Sequence, residues 1–215
     1  MALLVLKFGG TSVADVEAIL HVANKVKALK EEGNHLAVVV SAMSGETNRL
    51  IELASKFKAE KGKAVDFLLA TGEQVSVALL CSALESIGVK SFPMAGWQVP
   101  VLTDDSFGRA KITEIASQNI TNLLDEGVVV ITGFQGVDQN NNITTLGRGG
   151  SDTSAVAIAA AISADECRIY TDVRGVYTTD PRVVSDARKL DVLTYEEMLE
   201  LAGLGAKVLQ IRAVE

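Results

Sequence analysis

Four short apolar runs, rich in β-branched residues, constrain the fold of this chain more than any other feature of its sequence. They cover residues 2–6, 37–41, 128–132 and 167–171, and turn-forming residues bound each of them. Such runs are typical of strands that are buried on both faces of a sheet. Because helical patterns fill the intervals, we expect parallel pairing with helices on both faces. The predicted fold class is α/β, a three-layer α/β/α sandwich around a largely parallel central sheet.

The segments between the predicted strands differ in character. Apolar residues recur every three or four positions over residues 16–29 and again over 50–57, which predicts amphipathic surface helices. A longer helix is predicted over about residues 64–86, although Gly72 interrupts its pattern. The stretch "GVDQNNNIT", residues 136–144, carries the signal of a hairpin centred on asparagines.

The stretch "SDTSAVAIAAAIS", residues 151–163, has another character. Its residues are small and apolar almost all round, which predicts a helix packed tightly inside the protein. We expect Ser151 or Asp152 to be the N-cap of this helix.

Length and composition narrow the class of protein. A chain of 215 residues suits one α/β domain with a substantial core. The formal charge of -7 argues against a nucleic-acid surface, so an anionic ligand must be met by a local cluster of cations. The apolar runs are far shorter than the roughly 20 residues that span a bilayer, so we expect a cytoplasmic protein without a membrane partner. Cys81 and Cys167 are expected to be reduced thiols.

A lysine, two glycines and a predicted helix start follow one another in "VLKFGGTSVAD", residues 5–15. Lys7 ends the first predicted strand, at the edge of the sheet where open α/β proteins bind ligands. Glycines after it allow backbone N–H groups to approach an anion, and a helix entered through Thr11 or Ser12 points its positive end at the same place. We interpret the stretch as a phosphate cradle, with a tight turn and a solvated lysine as the alternative.

A second glycine-rich stretch, "TTLGRGGSDTSA", favours the phosphate interpretation. It sets three glycines around Arg148 and continues with Ser151 and Asp152. A loop that only turned the chain would need fewer glycines and no arginine. Neither stretch is a Walker loop or a GxGxxG motif, and the HRD and DFG motifs of protein kinases are absent from the sequence. The sequence therefore predicts a phosphate-binding enzyme of some other fold.

Several stretches, in order along essentially the whole chain, carry a resemblance to a known family. They are "KFGGTSV", "VVSAMSGETNRL", "ATGEQVS", "GFQGVD", "TTLGRGGSDTSA", "TDVRGVYTTDPR" and "GAKVLQIRAVE". Together they resemble the catalytic domain of aspartate kinases, within the amino-acid kinase family. The resemblance implies ATP-dependent phosphorylation of the β-carboxylate of L-aspartate to 4-phospho-L-aspartate, the first step towards lysine, threonine and methionine. It implies ATP and Mg²⁺ as cofactors, and no residue is assigned as a metal ligand.

The resemblance also implies roles for particular residues. Lys7 matches the lysine that contacts the transferring phosphoryl group, and Asp152 matches the acid that orients the catalytic lysines. Glu73 matches the acid that meets the substrate amine, and Arg148 matches the arginine that clamps its α-carboxylate. The residues that match the aspartate-binding segments are Ser41, Thr47, Glu73, Arg148, Gly149, Gly150 and Ser151. The residues that match the nucleotide site are Lys7, Gly9, Gly10, Thr171, Asp172, Tyr177, Arg182 and Lys207.

These residue types suit the chemistry independently of the resemblance. Phosphoryl transfer asks mainly for positioning and for charge neutralisation along the line of transfer. Lysine acts as a mobile point charge, and the planar fork of arginine suits a carboxylate. A carboxylate acceptor is already ionised at pH 7, so the reaction needs no strong general base.

Two features depart from the family pattern. Arg174 stands where aspartate or proline is more usual, which suggests a changed contact near the nucleotide. Aspartate kinases normally continue with further strands and paired regulatory ACT domains, whereas this sequence ends at Glu215. We therefore expect one amino-acid kinase catalytic domain over residues 1–215, cut before its last strands and without ACT domains. The open edge left there would favour a homo-oligomer.

Two alternatives stay open from the sequence. One is a related amino-acid kinase that phosphorylates a different acceptor. The other is a catalytically silent module that only binds a nucleotide or an amino acid.

Overall fold

The computed structural model describes residues 1–173, 175–179, 183–184 and 186–203, and every structural statement below concerns that part of the chain. Its strands are β1 (Leu3–Phe8), β2 (His35–Val40), β3 (Ser91–Met94), β4 (Val101–Thr103), β5 (Ile112–Ile115), β6 (Val128–Thr132), β7 (Gln135–Val137), β8 (Ile143–Thr145) and β9 (Glu166–Tyr170). Its α-helices are α1 (Val16–Glu31), α2 (Glu46–Ser55), α3 (Lys63–Leu69), α4 (Thr71–Ser86), α5 (Gln118–Leu124), α6 (Gly150–Ala161) and α7 (Tyr195–Gly203). A 3-10 turn covers Gly10–Val13.

The central sheet is five-stranded and parallel throughout, in the order β3-β6-β2-β1-β9. Strands β1, β2, β6 and β9 correspond to the predicted apolar runs. Strand β3 has no counterpart among the predictions, because its short sequence includes Pro93, which is tolerated here at the edge of the sheet. The pairing sets Lys7 beside Val39 of β2 and Ile169 of β9. The carboxyl ends of these strands therefore meet at one edge of the sheet.

Alternate residues of the central strands face different helices. Leu4, Leu6 and Phe8 of β1 pack in a core with residues of α1 and α4, whereas Val5 packs in a second core with residues of α5 and α6. Because helices cover both faces, both sets of alternate residues are apolar, and the strands appear in the sequence as continuous runs. The predicted three-layer α/β/α sandwich is confirmed.

A second sheet, in the order β5-β4-β7-β8, contains the predicted hairpin. Strands β7 and β8 pair antiparallel. Between them, Asp138 Oδ1 accepts the backbone N–H groups of Asn140 and Asn142 at 2.8 and 2.9 Å. Asn141 adopts a φ of 60°, a left-handed conformation that asparagine tolerates. The hairpin prediction is confirmed, and β8 leads the chain into the loop that carries Arg148.

The long predicted helix consists of two helices, α3 and α4, which meet at Ala70. Gly72 lies inside α4, where an added Cβ would stand 2.9 Å from the Cβ of Ala42. The glycine that interrupts the sequence pattern therefore permits a close approach of α4 to the chain after β2, and it does not break the helix.

The stretch Lys63–Ser86, taken as one helix, is long and apolar enough to cross a membrane by length and composition alone. Within this fold, Val77, Leu80 and Leu84 are buried against the central sheet. A core helix of a globular domain has the same composition, so packing inside the domain accounts for the hydropathy of this stretch.

The first α-helix begins later than predicted. Thr11 and Ser12 lie in the 3-10 turn, and α1 begins at Val16. The N-cap is Asp15, whose carboxylate accepts the backbone N–H of Ala18 at 2.8 Å. The prediction that the helix is entered through Thr11 or Ser12 is therefore wrong, because the glycine pair leads into an intervening turn.

Candidate active site

A cavity of about 300 Å³ opens at the carboxyl edge of the central sheet. Open α/β sheets bind ligands at this edge. The structure brings all of the predicted catalytic and aspartate-binding residues together in its wall. They are Lys7, Ser41, Thr47, Glu73, Arg148, Gly149, Gly150, Ser151 and Asp152.

Lys7 forms an ion pair across two layers of the sandwich. It lies near the end of β1 and is 7% exposed, and its Nζ stands 2.7 Å from Oδ1 of Asp152 in α6. The contact has the distance of an ion pair but not the alignment of a hydrogen bond. A lysine ammonium has three donors and a strong hydration requirement, so this pairing leaves Lys7 with donors for a second anion.

Glu73 is a buried carboxylate whose hydrogen-bonding capacity is not filled. It lies in the first turn of α4 and is 3% exposed. Its Oε1 accepts the backbone N–H of Ala42 at 3.0 Å, while Oε2 has no hydrogen-bond partner among the described residues. Burial raises the pKa of Glu73 to about 8, against the opposing effect of the Ala42 N–H. A cationic group entering the cavity would stabilise the ionised form.

Arg148 projects from a loop that two left-handed glycines shape. Gly147 and Gly149 have φ values of 77° and 73°, which residues with a Cβ adopt at a penalty. The guanidinium of Arg148 is exposed, and it makes no ion pair or hydrogen bond with any residue that the structure describes. It is therefore a cation available to an anionic ligand in an acidic protein.

Helix α6 begins at the cavity, but not at the residues predicted. Gly149 occupies the N-cap position and the helix starts at Gly150, so Ser151 and Asp152 lie in the first turn. The prediction that one of these two caps the helix is wrong, because the capping position has a left-handed backbone that suits glycine. The positive end of the α6 dipole borders the cavity, which favours the Asp152 carboxylate and an anionic ligand there.

The two glycines after β1 serve different purposes. The Gly9 N–H donates to the carbonyl of Tyr170 at 3.2 Å, so this amide is engaged within the fold. An added Cβ at Gly9 would stand 3.4 Å from Lys7 Nζ, whereas one at Gly10 would stand 2.7 Å from the Ala42 carbonyl oxygen. Gly9 thus keeps space beside Lys7, and Gly10 lets the turn after β1 lie against the chain after β2.

Of the predicted nucleotide residues that the structure describes, Lys7 lines the cavity, whereas Gly9, Gly10, Thr171, Asp172 and Tyr177 are not among its lining residues. Thr171 and Asp172 follow β9, are exposed, and join through a hydrogen bond of 3.1 Å from Thr171 Oγ1 to Asp172 Oδ1. Tyr177 forms an antiparallel bridge with Lys189. The bond from Gly9 to Tyr170 sets this segment next to the Lys7 turn. Arg174, Arg182 and Lys207 lie outside the described residues.

The cavity also contains residues that the sequence reasoning missed, namely Ala42, Phe134 and Gly147. Phe134 has a φ of 68°, which is unusual for a bulky side chain, and its N–H donates to Ser154 Oγ at 3.0 Å. Its place two residues after β6, at the same edge of the sheet as Lys7, is the signal that could have identified it. Gly147 belongs to the glycine-rich stretch but was not assigned.

The described residues contain no group of three or more His, Cys, Asp and Glu side chains arranged to hold a metal ion. Mg²⁺ in phosphoryl-transfer sites is typically held by one or two carboxylates together with substrate phosphates. The carboxylates of Asp152 and Asp172 near the sheet edge fit that mode.

Comparisons with known proteins agree with this geometry. The model of the family "Amino acid kinase family" matches residues 2–215. The chain is 59% identical over 219 residues to an aspartate kinase of Pseudomonas fluorescens (strain SBW25), which covers 100% of this chain and 53% of the relative. It is 60% identical over 217 residues to an aspartokinase of Pseudomonas aeruginosa, with 100% and 53% covered. The chain thus spans about half the length of the curated relatives it matches.

Solved structures show the same likeness in three dimensions. Aspartokinase III of E. coli, in complex with aspartate and ADP in its R-state, superposes with a TM-score of 0.89 at 33% identity, covering 99% of this chain and 58% of that one. Aspartate kinase from Synechocystis superposes with a TM-score of 0.83 at 49% identity, covering 99% and 36%. The family match extends over nearly the whole sequence and the architecture agrees with it, so this chain belongs to the amino acid kinase family.

Proposed function

We propose that the protein transfers the γ-phosphoryl group of ATP to the β-carboxylate of L-aspartate, giving 4-phospho-L-aspartate and ADP. The observation that carries the proposal is a buried carboxyl group and a guanidinium that line one cavity, each with hydrogen-bonding capacity that no described residue fills. Glu73 presents a buried carboxylate oxygen without a partner among the described residues, and Arg148 presents a guanidinium equally without one there. An α-amino acid is a ligand that carries an ammonium and a carboxylate on the same carbon atom, and it would offer one group to each of these residues.

The two charged groups would orient the substrate. Glu73 would accept the α-ammonium, and its elevated pKa would fall as the cation replaced the missing hydration. Arg148 would hold the α-carboxylate through its planar fork. Ser41, Thr47 and Ser151 line the same cavity and offer hydroxyl groups to the substrate carboxylates. The side-chain carboxylate would then be directed at Lys7.

Lys7 and Asp152 would serve the transfer itself. Lys7, held by Asp152 at 2.7 Å, would place its ammonium on the oxygens of the phosphoryl group as charge develops there. Asp152 would hold that ammonium in one orientation. The aspartate nucleophile is ionised at neutral pH and needs no general base.

The nucleotide would lie on the β9 side of Lys7. We assign Lys7, Gly10, Thr171, Asp172 and Tyr177 to its binding, together with Gly9 as the residue that leaves space beside Lys7. Arg182 and Lys207 are included from the sequence alone. Bound with Mg²⁺, the nucleotide would supply the phosphoryl group and neutralise its own charge through the metal.

The broader assignment follows from this activity. We place the protein in the cytoplasm, at the first step of the synthesis of lysine, threonine and methionine, and we assign residues 1–215 to one catalytic domain. E. coli aspartokinase III, at 33% identity, has been solved with aspartate and ADP, which supports the same pair of ligands here.

The test is ADP release from Mg-ATP with and without L-aspartate, with hydroxylamine present to trap the acyl phosphate. Aspartate-dependent hydroxamate is the expected result. L-Glutamate and N-acetyl-L-glutamate serve as matched acceptors. Faster hydroxamate formation with one of them would identify that acceptor, and not aspartate, as the substrate. A folded protein that binds ATP but yields no hydroxamate with any acceptor would overturn the kinase proposal.

A further inference from the structure

Asp66 is a buried carboxylate in α3 that lies outside the wall of the cavity. Its residue exposure is 0%. Its Oδ2 accepts two backbone N–H groups, from Gly108 at 2.9 Å and from Thr145 at 2.6 Å. Its Oδ1 is buried without a hydrogen-bond partner in the described part of the chain. Burying a carboxylate costs free energy, and here the buried group fixes two separate backbone segments.

The two segments held by Asp66 also hold each other. The Ala110 N–H donates to the Thr145 carbonyl at 2.8 Å. Two residues further on, an added Cβ at Gly147 would stand 2.8 Å from the Gly108 carbonyl oxygen. The chain near Gly108 thus supports the end of β8 and the loop that follows it, and Asp66 is bonded to both.

Arg148 depends on this support. It lies three residues after Thr145, between glycines with left-handed backbones, and glycine gives a loop the greatest conformational freedom. Its exposed guanidinium has no partner among the described residues that would fix it. The position of Arg148 therefore depends on how the backbone of its loop is held. The contacts that hold it are the Asp66 bond at the end of β8, the Leu146 N–H, which donates to the Phe134 carbonyl at 2.8 Å, and the start of α6.

The helical stretch that contains Asp66 also contains Glu73, an acidic residue of the cavity wall. Helix α3 continues into α4 through Ala70, whose φ and ψ of -60° and -19° are helical. Asp66 precedes Glu73 by seven residues, and the two carboxylates lie on either side of the junction at Ala70. One of them lines the cavity, and the other is bonded to the segment that carries Arg148.

We propose that Asp66 is a positioning residue that sets the distance between Arg148 and Glu73, and through it the affinity for the amino-acid substrate. This proposal rests on the proposed function, because it assigns Arg148 to the substrate carboxylate. It predicts that loss of the Asp66 bonds raises KM for aspartate by about tenfold or more, while kcat and KM for ATP change little.

The experiment is a double-mutant cycle on the protein with Asp66→Asn, Arg148→Ala and the pair, read as KM for aspartate, KM for ATP and kcat. If Asp66 acts through Arg148, the double variant loses no more aspartate affinity than Arg148→Ala alone. Losses that multiply would mean that Asp66 affects aspartate affinity independently of Arg148, and would overturn the proposal. Unchanged KM for aspartate in Asp66→Asn would overturn it as well.

Asp104→Asn is the matched control. Asp104 Oδ1 also accepts two backbone N–H groups in the same loop, from Ser106 and Lys111 at 3.2 and 3.0 Å, and it is not bonded to Thr145. We expect this variant to keep its KM for aspartate, and an equal rise there would assign the effect to the loop as a whole and overturn the role of Asp66.

If Asp66→Asn does not fold, the cycle is run with Asp66→Glu, which keeps the charge and displaces the bonded segments by one methylene. The same comparison with Arg148→Ala then supports or overturns the proposal. Wild-type hydroxamate formation separates the two hypotheses. An inactive wild-type protein contradicts the proposed function, whereas an active one with multiplying losses contradicts the role of Asp66 alone.

Discussion

Lys7 Nζ and Asp152 Oδ1 lie 2.7 Å apart although their residues belong to different layers of the fold, the strand β1 and the helix α6. The side chains are 9% and 15% exposed, so the pair is largely shielded from water in the cavity wall. A partly buried pair is screened less than one on the surface. The pairing fixes the orientation of the lysine ammonium in the cavity wall.

Lys7→Ala is expected to lower kcat by about 100-fold or more, because the variant loses the cation that would meet charge developing on the phosphoryl oxygens. Aspartate binding should persist, since Glu73 and Arg148 are intact. Initial rates of hydroxamate formation and calorimetric titration with aspartate check the two parts. The control is Lys56→Ala, at an exposed lysine after α2. Near-normal turnover in Lys7→Ala would show that the role given to Lys7 is wrong.

Glu73 should make stability depend on pH. The unfolded chain releases this proton near pH 4.5, whereas the folded protein holds it to about pH 8. Between these values the folded state binds more protons, so the free energy of unfolding falls as pH rises, by up to about 1.4 kcal/mol per pH unit. Urea unfolding across this window tests the slope. In Glu73→Gln the slope should become shallower, and an unchanged slope would contradict the assignment.

Aspartate affinity should follow the same ionisation in the opposite sense. The substrate ammonium needs ionised Glu73, so KM for aspartate should fall as pH rises towards about 8 and level off above it. In Glu73→Gln the KM should be high and nearly independent of pH. A KM that rises with pH in the wild-type protein would mean that Glu73 does not receive the ammonium.

Arg148→Ala should raise KM for aspartate by about 10- to 100-fold, which corresponds to the loss of a charge-assisted contact. The melting temperature should be unchanged, because the side chain is exposed and has no partner among the described residues. Arg148→Lys should recover only part of the affinity, since lysine lacks the planar fork. Arg49→Ala, which removes a surface pair with Glu46, is the control. Equal effects of the two alanine variants on KM would contradict the assignment.

The two glycines after β1 should respond differently to alanine. Gly10→Ala forces a Cβ to 2.7 Å from the Ala42 carbonyl oxygen and should destabilise the fold by about 1–3 kcal/mol. Gly9→Ala fits its backbone, with φ and ψ of -72° and 167°, and should leave stability nearly unchanged. Its Cβ stands 3.4 Å from Lys7 Nζ, so kcat should fall instead. Urea unfolding and initial rates on both variants make the comparison, and a reversed order of stabilities would contradict it.

Much of the fold and of the site was predictable because local patterns encode it. The continuous apolar runs gave β1, β2, β6 and β9, since strands covered on both faces need apolar residues at every position. The parallel order of these strands then fixed Lys7 at the ligand edge. The glycine-rich stretch around Arg148 indicated an anion site for the same local reason.

The capping residues and the short strands were harder to predict from the sequence. The left-handed backbone at Gly149 moved the N-cap of α6 to that residue, and an extra 3-10 turn moved the N-cap of α1 to Asp15. The positions of both N-caps depend on where the preceding loop enters the helix. That point is set by contacts with neighbouring segments of the fold. Pro93 in β3 is tolerated because the strand lies at the edge of the sheet. The sequence around Pro93 does not predict that the strand is an edge strand.

By itself, the sequence determined the layers of the fold, the edge of the sheet at which we propose that ligands bind, and the residue types available there. Tertiary structure alone decided that Glu73 is buried with one oxygen that no described residue contacts through a hydrogen bond, that Lys7 meets Asp152, and that Asp66 is bonded to the segment carrying Arg148. The physical reason is that apolar periodicity and backbone propensity act over a few neighbouring residues. Desolvation of a carboxylate and the choice of its partners depend on atoms that are distant in the chain and close only after folding.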